Sequence, residues 1–380
     1  MKHHFDTEAV HLSEKKYVTN ASKVNPIYQT SAFAFSDLEE LEGFYKGESK
    51  YLYTRTGNPN TDELAAAVAN LEGAPAGVAT SSGLSAILAG ILAVVKAGDH
   101  VVATNDIYGG TYQLLSGELK DFGIEVSFVN FENVEEIKKA IQPNTKLIYT
   151  ESVTNPLLRV EDIDQLVRIA KERNLYSMVD NTFATPYLLN PYVQGVDIVA
   201  HSATKYIGGH SDVSAGVVVG HAELIAKARA KVVNLGLNLS PFESWLGTRG
   251  LKTLSLRMER HVKNAQKLAD GLKGHQAVKK VYYPEFVSEK GNGAIVTIDI
   301  TGKCDISKFF KSLSWVKIVP TLAGVETTVS YPVGTSHRNL SNELREELGI
   351  TEGVIRISLG IEDSDDILAA FIEALDKSIL

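Results

Sequence analysis

The chain has 380 residues, of which 44 % are hydrophobic and 22 % charged, with a formal net charge of −8. That composition excludes a disordered or fibrous chain and gives no support for a nucleic-acid surface, which would need a clustered basic excess. The length suits two domains, one of them large.

Residues 1–60 are polar and weakly periodic, and are expected to form an arm contacting a partner subunit. Met1 to Glu14 includes Asp6 and Glu8 and lacks the apolar core of a signal peptide. From residue 61 the texture alternates. Apolar runs at 100–104, 126–131, 146–151, 176–180, 197–201 and 215–219 read as buried strands. Stretches of helical period at 62–72, 84–95, 111–122, 134–141 and 163–173 lie between them. The apolar stretch 84–95 is too short to span a bilayer, so no membrane partner is expected and the cytoplasm is the expected compartment. This alternation implies an α/β large domain over 61–240, with a parallel-rich sheet covered on both faces. After 240 the pattern changes to a long helix over 241–272, strands at 294–300 and 354–359, and helices at 306–313, 340–348 and 365–375. A smaller C-terminal α+β domain over 241–380 is expected. The lone Cys304 cannot form an internal disulfide.

Ligands in such sheets bind beyond the carboxyl ends of the strands. Lys205 follows one apolar run, flanked by Ser202 and Thr204 and followed by Gly208 and Gly209. Desolvation there would lower its pKa and make it a Schiff-base nucleophile. The two hydroxyls suit a phosphate or, equally, ordinary turn capping. Asp180 ends the preceding strand and could cap the next helix or pair with a pyridinium nitrogen. Thr80-Ser-Ser-Gly-Leu opens a long apolar helix, either as a plain serine cap or as an anion site. Tyr108, beside Gly109 and Gly110, suits stacking on a planar ligand. Arg55, near Tyr53, offers a fork for phosphate. Arg356 alternates with apolar neighbours in a strand and needs an anion, whether an internal carboxylate or a substrate's. The histidines do not form a metal set.

Together these segments resemble the Cys/Met-metabolism enzymes that depend on pyridoxal 5'-phosphate (PLP), the trans-sulfuration group containing cystathionine γ-synthase, cystathionine lyases and methionine γ-lyase. The match runs from Pro26-Ile-Tyr-Gln-Thr-Ser31 to Val354-Ile-Arg-Ile-Ser-Leu-Gly-Ile-Glu362, with His201-Ser-Ala-Thr-Lys-Tyr206 its most specific block. The resemblance implies the aspartate-aminotransferase-like fold, type I of the PLP-dependent enzymes. It implies that Lys205 carries the cofactor, Asp180 meets its ring nitrogen and Tyr108 stacks on its ring. Ser82, Gly83, Leu84, Ser202 and Thr204 would hold the phosphate, helped by Tyr53 and Arg55 of a neighbouring subunit. Asn155 would contact the ring oxygen, and Arg356, Thr321 and Asn155 the substrate carboxylate. A homotetramer built from two catalytic dimers is the implied assembly.

Departures from the family pattern bear on the substrate. Cystathionine-handling relatives carry polar anchors where this chain has Leu52, Gln113 and Pro320. Burying a charged distal end without partners costs several kcal/mol. A neutral-tailed sulfur amino acid is therefore expected, with methionine γ-lyase-like α,γ-elimination as the activity. Gly110, where methionine γ-lyases carry Cys, keeps cystathionine γ-lyase or γ-synthase chemistry as the alternative. A fold-type-I aminotransferase is the alternative from another class.

Overall fold

The computed structural model describes residues 3–11, 22–338 and 341–380. Twelve strands among them form two sheets. The first contains β1 (Ala76–Thr80), β2 (His100–Thr104), β3 (Glu125–Val129), β4 (Thr145–Glu151), β5 (Tyr176–Asp180), β6 (Ile198–Ser202) and β7 (Gly216–Gly220), in the order β1-β7-β6-β5-β4-β2-β3. Strands β2 to β6 run parallel, and β7 lies antiparallel between β1 and β6. Each of the central strands is buried on both sides. Val102, Ile148, Val179 and Val199 enter one apolar cluster, whereas Val101, Leu147, Met178 and Ile198 enter the other. That two-sided burial explains why these strands read as continuous apolar runs.

The second sheet contains β8 (Lys280–Tyr282), β9 (Ile295–Asp299), β10 (Lys317–Ile318), β11 (Thr328–Ser330) and β12 (Val354–Ser358), in the order β10-β11-β12-β9-β8. A third apolar cluster, including Leu268, Phe309 and Phe371, packs helices Leu254–Leu272, Ile306–Ser312 and Ser364–Ser378 on this sheet.

Several elements differ from the sequence reading. The expected helix over 241–272 is two helices, Pro241–Leu251 and Leu254–Leu272. Gly250 explains the break: a Cβ there would lie 2.2 Å from the Gly208 carbonyl oxygen, so this turn packs backbone to backbone on the segment after Lys205. Beyond the break, Arg257 donates to the Tyr206 carbonyl oxygen at 2.7 Å and to that of Gly250 at 2.7 Å. The stretch 111–122 is likewise not one helix, because a π turn at Leu114–Glu118 interrupts it. Strand β1 and helix Ala222–Leu235 were not expected. The 1–60 segment contains helices Phe5–His11 and Leu38–Tyr45, and its residues 1, 2 and 12–21 lie outside the described residues.

Candidate active site

Strands β4, β5 and β6 are neighbours, and their carboxyl ends bring Glu151, Asp180 and Ser202 to one edge. Glu151 and Asp180 stand opposite each other in register. A cavity of ≈ 220 Å³ opens there, lined on the other side by Arg356 of β12 and by Thr321 in the loop between β10 and β11. Of the expected residues, Ser82, Gly83, Leu84, Tyr108, Asn155, Asp180, Ser202, Thr204, Lys205, Pro320, Thr321 and Arg356 all line it.

Lys205 donates from Nζ to the Thr321 hydroxyl at 2.7 Å. Burial, reinforced by the nearby Arg356 charge and opposed by Asp180, brings its amine down to about 8. Asp180 accepts from the Thr182 amide at 2.9 Å and from its hydroxyl at 2.5 Å. Burial raises the Asp180 carboxyl, while the two Thr182 bonds and the His201 and Lys205 charges oppose that rise. A cation facing it would restore full ionisation. Glu151 accepts from the Tyr108 amide at 2.8 Å, and burial together with the Asp180 charge pushes its carboxyl well above the usual range.

Ser82 caps helix Gly83–Leu92, its hydroxyl accepting from the Ser85 amide at 3.1 Å. Two close approaches seat this helix end against the cavity. A Cβ on Gly83 would lie 2.6 Å from Ser202 Cβ, and one on Gly216 would lie 2.1 Å from the Ser82 carbonyl oxygen. The free amides of such an end attract an anion. The Thr204 hydroxyl is engaged with its own chain, donating to the Ala215 carbonyl at 3.1 Å and accepting from the Ala215 amide at 3.0 Å.

Arg356 lies in β12, 3 % exposed. It donates from Nη1 to Asn155 Oδ1 at 2.9 Å and from Nη2 to the Thr321 carbonyl at 3.3 Å, while its buried Nε has no partner. Among the described residues no carboxylate forms an ion pair with it. Burial brings this guanidinium down to about 10. Behind it His337 is buried, and burial, then the Arg356 charge, lowers its imidazole to about 4 against hydrogen bonds to the Asn155 and Ile107 backbones.

Four expected residues are not in this cavity. Arg55 donates to the Val233 carbonyl at 3.2 Å and lies 5.7 Å from the Tyr53 ring, outside the cavity lining, and Leu52 and Gln113 are likewise absent from it. Conversely, Glu151, Thr182, Phe183 and Ser336 line the cavity and were not singled out. Thr182 had a sequence signal, being two residues beyond the strand end at Asp180. Ser336 had none, because it sits in an aperiodic segment.

A cradle for an anion, a buried carboxylate, an amine of reduced basicity and an uncompensated guanidinium together could hold a phosphorylated pyridine aldehyde and an amino acid. The comparisons agree with that chemistry. A family model described as Cys/Met metabolism PLP-dependent enzyme matches residues 6–376. A cystathionine beta-lyase of Lactococcus lactis subsp. cremoris is 41 % identical, covering 98 % of each chain. An L-methionine gamma-lyase of Fusobacterium nucleatum is 40 % identical, again covering 98 % of each. Among solved structures, a Campylobacter jejuni protein described as an O-acetylhomoserine (thiol)-lyase, carrying N'-pyridoxyl-lysine-5'-monophosphate, superposes with a TM-score of 0.91 at 29 % identity, over 98 % of this chain and 99 % of its own.

Proposed function

The chain belongs to the Cys/Met-metabolism PLP-dependent enzymes, and from that premise we propose that it is a carbon–sulfur lyase for a neutral-tailed sulfur amino acid, methionine or homocysteine. The observation that carries this reading is the distribution of charge around the cavity. Its charged lining is Glu151, Asp180, Lys205 and Arg356, and the remaining wall includes Leu84, Ile87, Val153, Phe183, Pro320 and Leu322. Once Lys205 carries the cofactor and Arg356 holds the α-carboxylate, no further cation among the described residues lines the wall for a distal carboxylate. A thioether or thiol tail needs none.

Bound PLP supplies an electron sink for charge developing at Cα and Cβ. The chain's own groups do the rest. The amides at Ser82–Leu84, with the Ser202 hydroxyl, would hold the phosphate. Asp180 would face the ring nitrogen and favour its protonated form. Tyr108 would lie against the ring, and Arg356 with Asn155 would fix the substrate carboxylate. Lys205, largely uncharged above about pH 8, takes the proton from Cα. Methionine plus water would give methanethiol, 2-oxobutanoate and ammonia. Tyr53 and Arg55 lie away from their own chain's cavity, which supports their service to a neighbouring subunit's phosphate.

A second reading, cystathionine γ-lyase or γ-synthase chemistry, is favoured by Gly110. A Cβ there would lie 2.6 Å from Tyr108 Cε1, so this pose of the tyrosine fits glycine and not the cysteine of methionine γ-lyases. Purified holoenzyme given methionine, homocysteine or cystathionine separates the two readings. Thiol and 2-oxobutanoate from the first two support the neutral-tail reading, and release from cystathionine alone rejects it. Turnover only with an added oxo acid would instead identify an aminotransferase.

A further inference from the structure

Two loops that follow neighbouring strands carry groups facing the cavity, and side chains behind them join the loops to each other. The first loop leaves β2 and runs through Asp106 to Tyr108, and the second leaves β4 and passes through Asn155. Thr154, 0 % exposed, stands where the two meet. Its hydroxyl donates to Asp106 Oδ2 at 2.6 Å and accepts from the Arg159 amide at 3.1 Å. The Thr154 amide donates in return to the Arg159 carbonyl at 2.9 Å, and Val153 and Val160 form a bridge beside it. The Arg159 side chain then reaches back toward β2. Its Nη2 donates to the Thr104 hydroxyl at 3.2 Å, Nε lies 4.0 Å from Asp106 Oδ2, and Nη1 lies 2.6 Å from Glu161 Oε1. None of Asp106, Thr154, Arg159 and Glu161 lines the cavity. Apolar side chains often fill such a space at no cost in stability, so stability alone does not account for the cluster. Leu158, buried inside the second loop, is held at φ 63°, a conformation that a residue with a side chain keeps only where its surroundings impose it.

We propose that Thr154, Asp106 and Arg159 form a clasp between the two loops, a set of positioning residues that fixes Asn155 against Arg356 and Tyr108 over the cofactor site. The clasp touches neither cofactor nor substrate. It acts through Asn155, whose Oδ1 accepts from Arg356 Nη1 at 2.9 Å, and through the segment that ends at Tyr108. The Thr154 bond needs an oxygen acceptor on Asp106 and no particular charge, so the clasp closes whether or not that carboxyl is ionised. The inference rests on the reading that Arg356 takes the substrate α-carboxylate and that Tyr108 faces the cofactor ring.

The test uses the holoenzyme and glycine, which has the α-amine and α-carboxylate of a substrate but no tail. Glycine affinity is read from the change it makes in the visible absorption of the bound cofactor. Thr154→Val keeps the side chain's shape and deletes the hydroxyl. It should weaken glycine about three- to tenfold, the worth of one hydrogen bond, and reduce the visible circular dichroism of the cofactor. Thr154→Ser keeps the hydroxyl and should restore both. Arg159→Met should repeat the Thr154→Val change, and the double variant should exceed either by little, because the residues act as a unit. A clasp that only stabilises the fold would lower the melting temperature and leave glycine affinity and dichroism in place, and that result overturns the proposal. Asn155→Ala is the control for the underlying reading. If it leaves glycine affinity unchanged, Asn155 does not steer the carboxylate site and that reading fails; if it weakens glycine while Thr154→Val and Arg159→Met do not, only the clasp is wrong. Should Thr154→Val not fold, Arg159→Lys decides. Its ammonium keeps Glu161 within reach but gives up the bond to Thr104, so weakened glycine binding supports the clasp and unchanged binding overturns it.

Discussion

Replacing Arg356 by leucine should separate stability from binding. The guanidinium is buried with two neutral acceptors and, among the described residues, no carboxylate paired with it. Holding it at about 10 rather than in its usual range corresponds to roughly 3 kcal/mol. Because the folded protein gives up this proton more readily than the unfolded chain, the charge opposes folding at neutral pH, and the penalty fades only above about 10. Leucine removes it and leaves Asn155 Oδ1 without its donor, at about 1 kcal/mol. The net expectation is a melting temperature unchanged or one or two degrees higher, by calorimetry without substrate. Binding should behave oppositely. Two charge-assisted bonds to a carboxylate are worth about 1.5–3 kcal/mol each, so kcat/KM should fall roughly 10²–10⁴-fold, mostly through KM. A clear drop in melting temperature with kinetics intact would refute this reasoning and make Arg356 a structural residue.

Other outcomes follow from the same geometry. Capture of PLP by the apoprotein should speed up as pH rises through about 8, where Lys205 loses its proton; stopped-flow absorbance would detect a rate that is flat or falling instead. Gly109→Ala should lose about 1–3 kcal/mol of stability, since its Cβ would lie 1.9 Å from the Ser336 carbonyl oxygen; denaturant unfolding measures the loss, and an unaffected midpoint would contradict the close packing of that turn.

Much of the site was legible because strand ends are legible. The apolar runs ending at Asp180 and before Lys205 are buried on both faces, and such runs stand out from their polar surroundings. Arg356 was legible for the same reason: a cation among Val354, Ile355 and Ile357 in a buried strand demands a partner. The sequence left open whether that partner was an internal carboxylate, and the structure gives Asn155 and the Thr321 carbonyl instead. The break near Gly250 escaped notice because it depends on contact with Gly208, distant in sequence, and leaves helical period intact on both sides. Ser336 belongs to a segment without period, so only the fold brings it to the cavity.

The central claim is that one amine does the covalent work. Reducing the holoenzyme with borohydride and mapping its peptides by mass spectrometry tests this most directly. The expected result is a pyridoxyl group on Lys205 alone. A label on another lysine, or an unlabelled protein that still turns over substrate, would contradict it.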